Sequence, residues 1–232
     1  MSAYAFRTTL AGAVFALVST VTFAAADAPS AEQQRIDAAI KAYAAQVQAN
    51  EEKARDQLIA GHMNALMNDP MSPVIGNPKG DSTIIEFFDY ACPYCKAAEP
   101  RIEKLVKDDK RVRLVMKEFP ILTPESFVAT KAALASVRQG KYEAFHNTLM
   151  NFKGQLQNEV IFDAAKEVGL DLVRLKKDME APEITDEIIA NYNLARGVRI
   201  FQTPGFIAGG HFITSDSADI DFPKLAQSAR GK

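Results

Sequence analysis

Cysteine is scarce. The 232 residues hold two, at positions 92 and 95. A pair three positions apart closes almost no loop, so as a structural cross-link it would add little stability, and a framework of disulfides stapling distant segments is excluded. Histidine is nearly as rare: residues 62, 146 and 211 are far apart and share no ligand spacing, so surface or packing roles are expected of them. Charge of one sign is not in excess, with 27 Lys and Arg against 29 Asp and Glu, interspersed, for a net −2. Neither a nucleic acid nor a polybasic membrane contact follows from that balance. There is no internal repeat, and beyond the N-terminus no apolar run approaches membrane-spanning length.

The N-terminus itself carries one basic residue, Arg7, then an apolar stretch from Leu10 to Ala26 that ends in Ala24-Ala25-Ala26. This reads as a secretory signal peptide over residues 1–26, cut after Ala26. An uncleaved anchor is the alternative, weakened by Thr8, Thr9, Ser19, Thr20 and Thr22. The mature chain is therefore expected in the periplasm, an oxidising compartment where disulfides persist. A catalytic role explains a lone adjacent pair of cysteines there better than a structural one.

Residues 27–70 are expected to form an N-terminal helical extension. Ser30-Ala31-Glu32-Gln33 opens it as a capping box. Ile36, Ile40, Tyr43 and Val47 then recur at spacings of 4, 3 and 4, a short heptad seam. Either this helix packs back on the domain or it is an oligomerisation arm over residues 30–68; self-association is the favoured reading. Asp69-Pro70 ends it, and a turn-rich connector runs from Ser72-Pro73 through Pro78-Lys79-Gly80-Asp81.

Residues 71–232 read as the main domain. Thr83-Ile84-Ile85-Glu86-Phe87-Phe88 has the composition of a buried strand, and Lys96 to Lys107 has the period of an amphipathic helix. Between them lies Cys92-Pro93-Tyr94-Cys95. Pro93 suits the first helical position, both sulfurs fall in one helical turn, and the free N–H groups there favour a thiolate at Cys92. Val112 to Phe119 reads as a second strand. The span from about 123 to 197 holds helices opened by Thr123-Pro124-Glu125, Lys141, Asn158-Glu159, Asp171 and Thr185. A hairpin about Gly209-Gly210 and a final helix from Pro223 to Ala229 complete the order β-α-β, helical insertion, β-β-α. The fold class is α/β.

The run Glu86 to Lys96, with Thr203-Pro204 far downstream, resembles the DsbA family of thioredoxin-fold thiol–disulfide oxidoreductases over about residues 70–230. A lone CxxC could also be half a zinc site, but no further ligands are spaced for it. The resemblance implies a thioredoxin-like fold with an inserted helical subdomain, needing no cofactor or metal. It implies that Cys92 attacks the substrate and Cys95 resolves the mixed disulfide. Pro93 and Tyr94 would tune the couple and face the substrate. Tyr94 stands where the strongest oxidants of the family have histidine, so a less extreme thiolate is expected. Thr203-Pro204 resembles the family's cis-proline loop, which pairs with substrate backbone, or is an ordinary turn proline; Gln202 departs from the small residue usual before it. Glu86, six residues before Cys92, matches the family's acid that exchanges a proton with the second cysteine, and Lys117 is its candidate partner. Both are alternatively charges facing solvent.

The extension together with CPYC resembles the ScsC-type branch, linked to copper tolerance, some of whose members oligomerise through such an arm. Exported cysteine-containing proteins and a membrane or periplasmic redox partner are the implied partners, and isomerase action is favoured over simple oxidation. The rival is a copper-binding or chaperone-like protein using the cysteines with His62, Met63, Met67 and Met71, thioethers and imidazole being suited to Cu(I). Met63 and Met67 at i, i+4 read more readily as an apolar stripe.

Overall fold

The computed structural model describes residues 29–213 and 219–231; the signal peptide expected over residues 1–26 lies outside them. The chain divides into a unit ending at Ala45 and one beginning at Gln46. The first unit's described part is helical, the start of α1 (Ala31–Met67). Ser30 Oγ accepts from Gln33 N–H at 3.1 Å, whereas the Gln33 amide turns to Asp37, so only half of the capping box forms. Ile36, Ile40 and Tyr43 of the seam are exposed.

In the second unit, α1 reaches its end with Ile59 and Leu66 fully buried. That end has no basic residue of its own in the last turn. Its free carbonyls are taken instead from β3 (Val112–Glu118): Arg113 donates to Met67 O at 2.7 Å, and Lys117 to Ala65 O at 3.0 Å.

Among the described residues a five-stranded sheet runs β1-β3-β2-β4-β5. At its centre β2 (Ser82–Phe88) lies parallel to β3 and antiparallel to β4 (Gly205–Ala208). β5 (His211–Ile213) closes a hairpin on β4 through Gly209 and Gly210, both at positive φ as a two-residue primed turn requires. β1 (Val74–Gly76) pairs antiparallel with β3 at the other edge. It falls in the stretch expected to be connector only: three residues between prolines are too few to show alternation.

Alternation along the strands gives the sheet two differently occupied faces. Ile84 and Phe88 of β2 and Leu114 and Met116 of β3 join one core cluster with both cysteines. That cluster is covered by α2 (Pro93–Asp108), α3 (Pro124–Ser136), α4 (Tyr142–Asn151), α5 (Asn158–Glu167), α6 (Leu172–Met179) and α8 (Phe222–Ser228). Ile85, Phe87 and Val115 face a second cluster with Ile59 and Leu66 of α1 and Ala195 of α7 (Pro182–Gly197). The inserted helical subdomain is thus α3 to α7. Two of its starts differ from expectation. Gln157, not Asn158, occupies the cap before α5, without a side-chain bond, and α7 begins on Pro182, whose fixed φ suits a first turn, rather than at Thr185. Asp171 caps α6 as expected, accepting from Val173 and Arg174 N–H.

Candidate active site

The buried strand β2 delivers the chain to a turn, and Cys92 is the N-cap of α2 with Pro93 at the first helical position. The first turn of α2 carries no acidic residue, so its free N–H groups are left for the sulfur: Cys95 N–H points to Cys92 Sγ at 3.4 Å. Both cysteines are free thiols, Cys92 with 3% of its surface exposed and Cys95 with none. Across the site the Thr203–Pro204 peptide is cis, and the Cys92 thiol lies 3.3 Å from Thr203 O. Pro204 is buried, while Pro93 and Tyr94 are exposed.

This geometry splits the two thiols. A hydrogen bond from the Cys95 side chain is the largest influence on Cys92 and lowers it from 9.0 to about 6. The Thr203 side chain and the N–H groups of Cys95 and Tyr94 act in the same direction, against burial. Cys95 moves the opposite way, well above 9.0, first through burial and then through its bond to Cys92 and the charges of Glu86 and Cys92. At neutral pH the arrangement holds one thiolate and one thiol in a single helical turn.

Glu86 is fully buried on the cysteine face, and among the described residues neither carboxylate oxygen has a hydrogen-bond partner. Burial holds it well above the usual carboxylate range, reinforced by the charges of Glu99, Cys92 and Glu118. Lys117 is not its partner. The register sets Glu86 beside Met116 and Phe87 beside Lys117, so Lys117 projects from the opposite face of the sheet. There, fully buried, it donates to Ser72 Oγ at 2.7 Å and Ala65 O at 3.0 Å and pairs with Asp69 at 3.3 Å. Its expected place in the proton chemistry is corrected to a structural one.

Several groups around the site escaped the sequence reading. Asp89, fully buried, accepts from Ala91 N–H at 2.7 Å, Ile121 N–H at 2.8 Å, Leu122 N–H at 3.0 Å and Ser126 Oγ at 2.6 Å. It welds the turn before Cys92 to the loop after β3. Lys96 donates to Leu149 O and Phe152 O at 2.7 and 2.9 Å, tying α2 to the end of α4. Glu118, also buried, receives Tyr90 and Tyr142 hydroxyls at 2.9 and 3.0 Å and Thr130 Oγ1 at 2.9 Å; burial nonetheless pushes it up to about 7. Of the histidines, His62 bonds Leu58 O and His211 pairs with Asp56, but His146 is buried between Tyr90 and Glu99. Among the described residues no cluster of His, Cys, Asp and Glu could hold a metal. Met63 and Met67 pack against the second core cluster.

A split CxxC dithiol on the first turn of a helix, fed by a buried strand and faced by a cis-proline loop, defines a thioredoxin-fold thiol–disulfide oxidoreductase. The chain belongs to the DSBA-like thioredoxin domain family, which matches residues 83–226. It is 43% identical to a thioredoxin-like oxidoreductase from Silicibacter pomeroyi, with TM-score 0.67 over 71% of this chain and 94% of that one. It is 28% identical to the catalytic domain of Proteus mirabilis ScsC, with TM-score 0.66 over 75% and 96%. Among curated proteins, 139 residues are 29% identical to a Na(+)/H(+) antiporter, NhaA 1 of Salinispora arenicola, covering 59% of this chain. The chain spans 21% of that antiporter's length and 57% of a matching Rickettsia typhi protein. No helix among the described residues is long and apolar enough to cross a membrane.

Proposed function

We propose that the chain is an exported thiol–disulfide exchange catalyst that corrects disulfides in exported proteins. The observation that carries the reading is the split of the two thiols, with Cys92 lowered to about 6 and Cys95 raised beneath it. The Cys92 thiolate attacks a substrate disulfide, forming a mixed disulfide and releasing one substrate thiolate. A thiol of the substrate then attacks within the substrate, which isomerises it. Alternatively Cys95 loses its proton and attacks Cys92 Sγ, which closes the 92–95 disulfide, passes two electrons to the substrate and releases its second thiolate. Run backwards from the disulfide, the second route oxidises substrate; the redox partner's potential sets the direction. Glu86, buried on the same face of the sheet as Cys95 and held well above the usual carboxylate range, is the group placed to exchange that proton. Thr203 offers its backbone to an extended substrate segment.

Export is supported by the apolar segment ending at Ala26 and by the redox pair itself. Self-association through the first turns of α1 is supported by the exposed Ile36, Ile40 and Tyr43, which a lone helix leaves in water. Several active sites on one assembly favour isomerisation, because a mixed disulfide can be passed between them.

The test is refolding of a scrambled disulfide substrate, paired with solution mass. Cys92→Ala abolishes exchange if the protein is a catalyst; a chaperone-like protein keeps suppressing aggregation without it. Replacing Ile36 and Ile40 by Lys in the intact chain turns an oligomer into a monomer and lowers isomerisation while leaving oxidation. A wild-type protein that is already monomeric refutes the self-association and favours an oxidase.

A further inference from the structure

Behind the sheet, away from the sulfurs, two carboxyl groups and one ammonium meet where α1 ends. Lys117 of β3 spends its three hydrogens on Ser72 Oγ at 2.7 Å, Ala65 O at 3.0 Å and Asp69 Oδ2 at 3.3 Å. Ser72 Oγ in turn donates to Glu187 Oε1 at 2.9 Å, and Asn191 Nδ2 donates to the same oxygen at 3.0 Å. Glu187, on α7, has 4% of its surface exposed, and the ammonium has no hydrogen left for it. Its carboxyl also bonds that of Asp69. Two carboxyl groups can bond only through a proton that one of them keeps.

Charge leads to the same count. One buried ammonium balances one carboxylate, and a second carboxylate at this depth costs more charged than protonated. Burial is the first influence on Glu187 and the Asp69 charge the second; against Lys117 and Ser72 they raise it to about 7. The two acids are unequally held. Glu187 stands in the middle of α7, with its neighbours Ile184 and Ile188 in a core cluster. Asp69 stands in the turn after α1, its side chain 21% exposed, accepting from Met71 N–H at 3.0 Å. When the pair loses its proton, the side that yields is therefore the end of α1.

We propose that the Asp69–Glu187 pair is a proton-held latch: one shared proton fixes the end of α1 against α7, and its loss in an alkaline medium lets the last turns of α1, with Ile59 and Leu66, lift from the sheet. The titratable and charged groups facing Glu187 are Asp69, from the turn after α1, and Lys117, from β3. Arg113 of β3 is turned to Met67 O instead. On α7 itself Glu183 and Asp186 are exposed, and Glu183 pairs with Arg138. His62 of α1 lies against Gly197, at the other end of α7, and bonds Leu58 O. The sign follows from the direction of the shift. A carboxyl raised from 4.5 to about 7 when docked contributes fully below 4.5, and its contribution is lost as pH rises through 7. The latch sets how firmly α1 is rooted in the domain, and the inference stands whether or not the chain exchanges disulfides.

The test is amide hydrogen exchange of the full chain, read on the last turns of α1 from Ile59 to Asn68 and, for reference, on β2. It is followed from about pH 5.5 to 8.5 in the wild type and in Glu187→Gln, and corrected for the intrinsic exchange rate at each pH. In the wild type, opening of the α1 end relative to β2 is expected to rise roughly tenfold from pH 6 to 8, the ratio given by a carboxyl at about 7 when docked and 4.5 when released. Glu187→Gln keeps an oxygen for Ser72 and Asn191 and offers Asp69 an N–H in place of the shared O–H. Its opening is expected to stay low and flat over the same range. Wild-type opening that is flat or falls, or that rises equally in β2, overturns the latch. So does a rise that survives in Glu187→Gln, because another group then carries the titration. A Glu187→Gln chain that fails to fold overturns it too, since the isostere of the protonated acid is expected to be tolerated.

Discussion

Removing the Cys95 side chain should raise the Cys92 titration, because that side chain's hydrogen bond is the largest influence holding the thiolate. In the wild type the midpoint is about 6, against an ordinary 9.0. At pH 7 the reduced form then gains a factor of about 11 in protonation states over an unperturbed thiol, or ~1.4 kcal/mol. For a two-electron couple that is about 30 mV towards a stronger oxidant. The gain nearly vanishes at pH 5 and grows to roughly 2.7 kcal/mol at pH 8. These are upper figures, since the site lies at the surface with Pro93 and Tyr94 exposed, where solvent screens the interaction. Cys95→Ala should shift the midpoint up from about 6, yet leave it below 9.0, because the N–H groups of residues 94 and 95 and the Thr203 side chain remain. The assay is thiolate absorbance near 240 nm with pH, cross-checked by the pH dependence of alkylation. A wild-type midpoint near 9.0, or a Cys95→Ala midpoint equal to the wild type's, refutes the reasoning.

Three other outcomes follow. Below pH 6 Cys92 is a thiol both folded and unfolded; between 6 and 9 only the unfolded form holds the proton, so reduced wild type should gain stability relative to Cys92→Ala from pH 6 to 9. A difference in urea midpoint that is flat or moves towards the variant over that window contradicts it. Glu86 has the opposite sign: its folded value is raised, so its contribution is intact below 4.5 and is lost as pH rises. Glu86→Gln should therefore gain on the wild type in urea between pH 5 and 8, while disulfide closure slows; a gap that is constant or shrinks refutes the buried, unpartnered carboxyl. Lys117→Met should cost up to about 3–5 kcal/mol, because partly buried Asp69 and buried Ser72 lose their cation. The folded fraction should exchange disulfides at the normal rate, since the lysine lies behind the sheet from the sulfurs, and slowed exchange per folded molecule would contradict that placement.

The parts of the site that are local in the chain were legible. Strand, CxxC and helix lie within 27 residues, and each declares itself by period or by proline. Thr203–Pro204 was legible only through the family resemblance, since nothing in the intervening helices says that the chain returns to Cys92. Lys117 failed for a reason the sequence did contain. It alternates with Met116 on β3, in step with Arg113, so parity already placed it on the other face; the register that sets Met116 beside Glu86 was the missing piece. Glu118 shares the parity of Met116 and could have been suspected of burial on that ground. Glu99 and His146 could not, because their meeting depends on how α4 of the insertion settles against α2, a long-range fact without local spacing. The seam of α1 reads as one helix in sequence, yet its two ends differ: Ile36 and Ile40 are exposed, while Ile59 and Leu66 are core.

The borrowed cap on α1 bears on how such chains can be recombined. The helix ends without a cation of its own, and β3 supplies two, through Arg113 and Lys117. An N-terminal helix looks like the natural piece to trade between relatives, cut at Asp69-Pro70 and joined to another domain. Moved that way, its last turn would arrive with bare carbonyls, and the domain left behind would keep a buried ammonium with fewer partners. The heritable module is therefore helix plus strand, and a workable chimera has its junction before Gln46 or carries both β3 cations along.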